Sequence, residues 1–177
     1  MTALTRSASS LGVVGWTVFA SGLLAAIGVA FLAAMFVAFA AGATSAGQLF
    51  GRVNDVLIMV SYPLAIPAVL ALRALVRPHA PVIGDLAALV GVGAIGAIGV
   101  LQACLVFGLL TFEQQIGPVS IALLLFGVSL VVTGYVGRSS GVLPHGLRMG
   151  LIGATYVGYP FWARWAGRRL ARPDLET

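Results

Sequence analysis

From Ser7 to Gly51 the chain carries not one charged side chain. A helix on the surface of a soluble domain shows polar or charged residues along one face. No such face can be drawn here. The apolar core of the stretch, Leu11–Ala41, suits one long, tilted membrane helix. Two crossings would need roughly 40 apolar residues plus a turn. Arg6 precedes the run as a signal-peptide n-region would. The run is about twice the usual 7–15-residue apolar core of such a signal, so it reads as a retained anchor.

The remainder repeats the pattern. Only 8% of residues are charged and 60% are hydrophobic, where soluble domains carry roughly 25% charged residues. Mean hydropathy is +1.06. The fold class expected is all-α: a polytopic transmembrane helix bundle, an integral membrane protein in a single domain over residues 1–177. Charges and prolines cut it into five hydrophobic helices at about 11–41, 56–76, 84–112, 119–137 and 144–169. Pro63 and Pro67 fall inside the second. Each removes a backbone donor, so that helix should bend and neighbours should satisfy the freed carbonyls. "EQQIGP" (Glu113–Pro118) reads as a turn-like loop. The fifth helix has only fifteen residues between Arg148 and Arg164. It crosses if both arginines snorkel outward, and is otherwise interfacial or re-entrant.

All ten basic residues are arginine. That bias fits GC-rich coding, and with it a bacterial cytoplasmic (inner) membrane. The arginines sit at the ends of apolar runs, where they meet lipid phosphates and set topology. The expected partners are therefore the lipid bilayer and anionic lipids, not nucleic acid. With five crossings the arginines divide five against five. With four, nine share one side against Arg52 alone, which the positive-inside rule prefers. Arg6 and the Arg73–Arg77 loop favour a cytoplasmic N-terminus.

"GVGAIGAIGV" (Gly91–Val100) contains the G-x-G-x-x-G spacing of dinucleotide-binding turns, with Glu113 about twenty residues on. That motif needs a preceding strand and a following helix with a polar face. Here "AIGVLQACLVFGLL" follows, and no βαβ pattern exists. Small residues instead let membrane helices approach closely. Gly91, Gly93, Gly96 and Ala97 form one such patch; Gly150, Ala154 and Gly158, spaced by four, form another. The partner helix belongs either to the same subunit or to another, as in a homo-oligomer or a larger membrane complex.

Polar residues are few. Cys104 reads as an inert thiol in an apolar run. Asp55 and Asp85 precede predicted helices and suit N-terminal caps; Glu113 reads as the charge that ends a helix. His79 and His145 belong to no metal-ligand spacing, and no catalytic constellation or cofactor motif is present. Arg73, Arg77, His79, Arg138, His145 and Arg148 share one membrane side, a candidate pocket for an anionic headgroup. Three functions follow. The first is a structural or accessory bundle without its own catalytic site. The second is a small transporter or channel, its path lined by Asn54, Gln102 and Ser129. The third is a lipid headgroup-acting enzyme using both histidines.

Leu123–Tyr159 has a helix ending Gly134–Tyr135, an Arg138–Gly141 loop, Leu143–Pro144, and a glycine-rich segment ending Gly158–Tyr159. This pattern resembles a family of small bacterial multi-pass membrane proteins of unknown function. The resemblance implies that Pro144–Tyr159 crosses the membrane, and it brings no activity or ligand with it.

Overall fold

The structure, a computed structural model, describes residues 2–143, with side chains from Gly12 onward. Those residues form α1 (Thr2–Ala40), α2 (Thr44–Ser61), α3 (Ile66–Val76), α4 (Pro81–Val106) and α5 (Phe112–Ser139), with no strand among them. A 3-10 turn, Pro63–Ala65, joins α2 to α3. The two form one bent span, Thr44–Val76, so four helices are long and apolar enough to cross a membrane. The predicted helix at 144–169 lies outside the described residues.

The start of α2 and the turn between α4 and α5 differ from expectation, for one physical reason. A glycine, not a charge, ends the helix. α1 stops at Gly42 (φ 75°), where Gly42 N–H bonds Phe39 O and Ala43 N–H bonds Ala38 O. α4 stops at Gly108 (φ 72°), with Leu109 N–H on Cys104 O. This left-handed close satisfies the last carbonyls and suits glycine, which has no Cβ. The chain then re-enters helix at Thr44, so Arg52 and Asp55 lie inside α2 rather than before it. At the other boundary Thr111 caps α5. Its hydroxyl accepts from Gln114 N–H, and the Gln114 side chain accepts from Thr111 N–H. This capping box turns "EQQIGP" into the first two turns of α5. Glu113 thus begins a helix, where its charge favours the N-terminal dipole. Asp55 and Asp85 are not caps; the cap positions of α2 and α4 are Ala43 and Ala80.

The bend at Pro63 is held from outside. Ala65 N–H bonds Tyr62 O at 2.8 Å, one residue short of the α-helical partner, Ser61 O. Ser21 Oγ of α1 donates to that carbonyl at 2.7 Å. A neighbouring helix thus satisfies backbone at the break, as an apolar surrounding requires.

α1 packs along α2, and α4 along α5; α2 and α3 both lie on α4, and α3 also touches α1 and α5. Small residues make these approaches close. A Cβ on Gly47 would meet the Phe39 ring at 2.7 Å, and one on Gly51 would meet Met35 Sδ at 3.0 Å. Gly47 and Gly51, four apart, thus form a small-residue seam between α2 and α1. The interior holds Ala65, Ala88, Ile95 and Ile98, together with buried Ser21, Asn54, Ser61, Gln102, Gln115 and Ser129. The outer surface carries Trp16, Val37, Leu89 and Leu124, each about two-thirds exposed or more. The interior thus mixes alanine and small polar groups with large apolar ones such as Tyr62, Phe126, Leu72 and Leu130, while an outer surface of large apolar side chains suits helices that pack in lipid.

Candidate functional site

Four helices surround a cavity of ≈ 690 Å³ near the end of the bundle that holds the α1–α2 and α4–α5 turns. Helical spacing builds its walls. Leu32, Met35, Phe36 and Phe39 share one face of α1; Gly51, Asn54, Asp55 and Ile58 share one face of α2. α4 adds Gln102, and α5 adds a face running from Phe112 and Gln115 to Leu123. α1 and α5 scarcely touch each other, and the cavity occupies the room between them.

Most of the lining is apolar, and its polar groups are unusual. Gln102 and Gln115 are 4% and 3% exposed, yet Gln102 Oε1 and Gln115 Nε2 have no hydrogen-bond partner. A buried acceptor or donor left unmade costs about 1–3 kcal/mol. One amide presents an acceptor and the other a donor, and they do not bond each other. Asn54 is also buried, and its Oδ1 would lie 3.3 Å from a Cβ on Gly28 of α1. Glycine at position 28 makes the room that the Asn54 carboxamide uses. Asp55 is the one ionisable residue of the lining among the described residues. The ion pairs among the described residues both use Asp85, so Asp55 faces the cavity without a basic partner.

The expected transporter path is brought together in part. Asn54 and Gln102 line this cavity; Ser129 does not. Ser129 Oγ bonds Phe126 O of its own helix at 2.7 Å. It lies instead on a space of ≈ 10 Å³ toward the other end, beside Arg73 and Thr133. Asp55 and Gln115 were not legible as site residues, because Asp55 reads as a cap and Gln115 as part of a loop. The Thr111–Gln114 spacing was the signal that would have placed Gln115 inside a helix.

The basic cluster lies at the opposite end of the bundle. Arg73 Nε bonds Asp85 Oδ1 at 2.7 Å, and Arg77 Nε lies 3.5 Å from the same oxygen. One carboxylate thus engages two of the candidate arginines. His79, in the α3–α4 turn, and Arg138, in the last turn of α5, are exposed. His145 and Arg148 lie outside the described residues, so the pairing of the two histidines does too. No group of His, Cys, Asp or Glu that could hold a metal occurs among the described residues. Cys104 is half-buried.

The glycine patch of α4 divides between two faces. Gly91 points inward, and a Cβ there would lie 2.8 Å from Ser129 Oγ and 3.2 Å from Val69 Cγ1. Gly93 and Gly96 face open space, and Ala97 is exposed beside them. Gly150, Ala154 and Gly158 lie outside the described residues.

No family model, curated protein or solved structure matches the chain.

Proposed function

We propose that this chain is a small transporter or membrane-embedded binding protein that takes a small molecule into the cavity between α1, α2, α4 and α5. The observation that carries this reading is the pair of buried, unpartnered amides on a ≈ 690 Å³ cavity. A site of this kind is mostly apolar, with a few polar groups that fix orientation, and volumes of about 300–1,000 Å³ hold drug-sized ligands. In the full reading the protein has five helices, the fifth over about 144–169, and the resemblance to the small bacterial family implies that Pro144–Tyr159 crosses the membrane. It sits in a bacterial cytoplasmic membrane. The end bearing Arg73, Arg77 and Arg138 faces the cytoplasm by the positive-inside rule, which turns the cavity end outward.

Cysteine scanning tests the reading. In a Cys104→Ala background, Asn54→Cys and Gln102→Cys should react with a membrane-impermeant maleimide, and Ser129→Cys should not. Unreactive thiols at both 54 and 102 would overturn it.

A second reading is favoured by the outer face of α4. Gly93, Gly96 and Ala97 there leave open space for a helix of another subunit. On that reading the bundle is a structural or accessory part of a homo-oligomer or a larger complex. Native mass spectrometry in mild detergent separates the two: a monomer without partner chains removes the second.

A further inference from the structure

We propose that the cavity takes a monovalent organic cation. Its apolar, aromatic-sized body would fill the hydrophobic walls, and its ammonium would lie against Asp55. Gln102 and Gln115 would bond its polar atoms. This rests on the cavity reading above and adds the ligand's charge and class.

Charge selects first. Among the described residues Asp55 is the sole ionisable residue of the lining, and no arginine or histidine shares it. Arg52, one turn earlier on α2, is exposed and makes no ion pair with it. An anion entering this space would meet a carboxylate with no counter-ion. A neutral molecule would leave that carboxylate uncompensated in weakly polar surroundings, which is costly. A cation removes the penalty and gains a charge-assisted hydrogen bond.

The walls select next. Phe36, Phe39 and Phe112 line the same space. Aromatic ring faces are electron-rich and attract organic cations. A bare metal ion would find one carboxylate and would leave the apolar volume empty, whereas hard cations want six or more oxygens. The two buried amides then define the head of the ligand. Gln102 Oε1 is a free acceptor and suits an ammonium N–H. Gln115 Nε2 is a free donor and suits a hydroxyl, ether or carbonyl oxygen of the ligand. An amino alcohol or amino ether on an aromatic or short aliphatic body meets all three demands at once.

The experiment compares three probes with one aromatic body: propranolol as the cation, 3-(1-naphthoxy)propane-1,2-diol as the neutral analogue, and 1-naphthoxyacetate as the anion. Binding to the full chain in lipid nanodiscs is read by naphthyl fluorescence, with empty nanodiscs subtracted. Propranolol should bind saturably, the neutral diol more weakly, and the anion not measurably. Asp55→Asn should weaken propranolol by about tenfold or more, the scale of one charge-assisted bond, and leave the diol unchanged. Asp55→Glu should restore most of the affinity, which separates a lost charge from a lost fold. Glu113→Gln, an exposed acid outside the cavity, should change nothing. Equal binding of cation and anion, absence of saturable propranolol binding, or indifference to Asp55→Asn would each overturn the proposal. If thiols at 54 and 102 still react from water, the ligand class alone has failed. If they are also unreactive, the cavity reading has failed with it.

Discussion

Replacing Ser21 with alanine removes the hydroxyl that bridges α1 to the break in the second span. Ser21 and Ser61 are both 0% exposed, and the bond from Ser21 Oγ to Ser61 O is 2.7 Å. The carbonyl it serves is the one that the 3-10 turn has deprived of Ala65 N–H. An unmade buried acceptor costs about 1–3 kcal/mol in water-soluble proteins. Side-chain hydrogen bonds between membrane helices average about 0.6 kcal/mol and reach about 1.7. A loss of about 1–2 kcal/mol is therefore expected for Ser21→Ala, near the upper end because the site is fully enclosed. Reversible unfolding in mixed detergent micelles measures it. Thr17→Ala is the reference: Thr17 Oγ1 bonds Val14 O of its own helix at 2.9 Å, so its loss should cost under about 0.5 kcal/mol. The mechanism makes a second demand. In a Pro63→Ala/Pro67→Ala background the span is free to straighten and Ala65 N–H can return to Ser61 O. Ser21→Ala should then cost little, giving a coupling energy of about 1 kcal/mol. Equal cost in both backgrounds, or a cost no larger than that of Thr17→Ala, would refute the account of the bend.

Other outcomes follow from contacts already described. Gly91→Ala places a Cβ against Ser129 Oγ and Val69 and should destabilise by about 1–3 kcal/mol, with partial rescue by Ser129→Ala. Gly96→Ala meets open space and should be neutral or stabilising by up to about 1 kcal/mol in thermal unfolding of the monomer. Asp85→Asn releases Arg73 and Arg77 from a partly exposed shared carboxylate. Its stability cost should stay under about 1 kcal/mol. Native mass spectrometry should show more anionic lipid retained; unchanged retention would mean these arginines do not hold headgroups.

Helix identity was legible because it rests on composition over long stretches. Leu11–Ala41 was placed almost to its observed end, since a charge-free run of that length leaves one solution in lipid. The bend at Pro63 was legible because proline lacks a donor wherever it sits. Boundaries read from charge were not. Arg52 and Asp55 looked like a gap between helices, yet Gly42 had already ended α1 and the helix resumes at Thr44. Glu113 looked like a terminus for the same reason, while Gly108 and the Thr111 capping box set the turn. In a chain with so few charges, each one draws attention as punctuation. A helix end is instead decided by which residue can accept a left-handed φ and which side chain can bond the first free N–H. The glycine patch of α4 shows a different limit. Spacing by three or four marks residues that permit close approach, and tertiary geometry decides that Gly91 is used within the subunit while Gly96 faces outward.

The pairing of α1 with the broken span fixes a depth. Thr44–Val76 has 33 residues, about 50 Å at 1.5 Å per residue, against a hydrocarbon layer of about 30 Å. Tilt alone does not absorb so large an excess. Gly28 of α1 lies against Asn54 of α2, Met35 against Gly51 and Phe39 against Gly47, so the first three turns of α2 run beside Val29–Ala40, a stretch of α1 without a charge. Asp55 and the cavity are therefore level with apolar α1 rather than with its end. A cationic amphiphile dissolved in the leaflet would meet the opening between α1 and α5 from the lipid side, and the membrane itself would act as the reservoir that concentrates it.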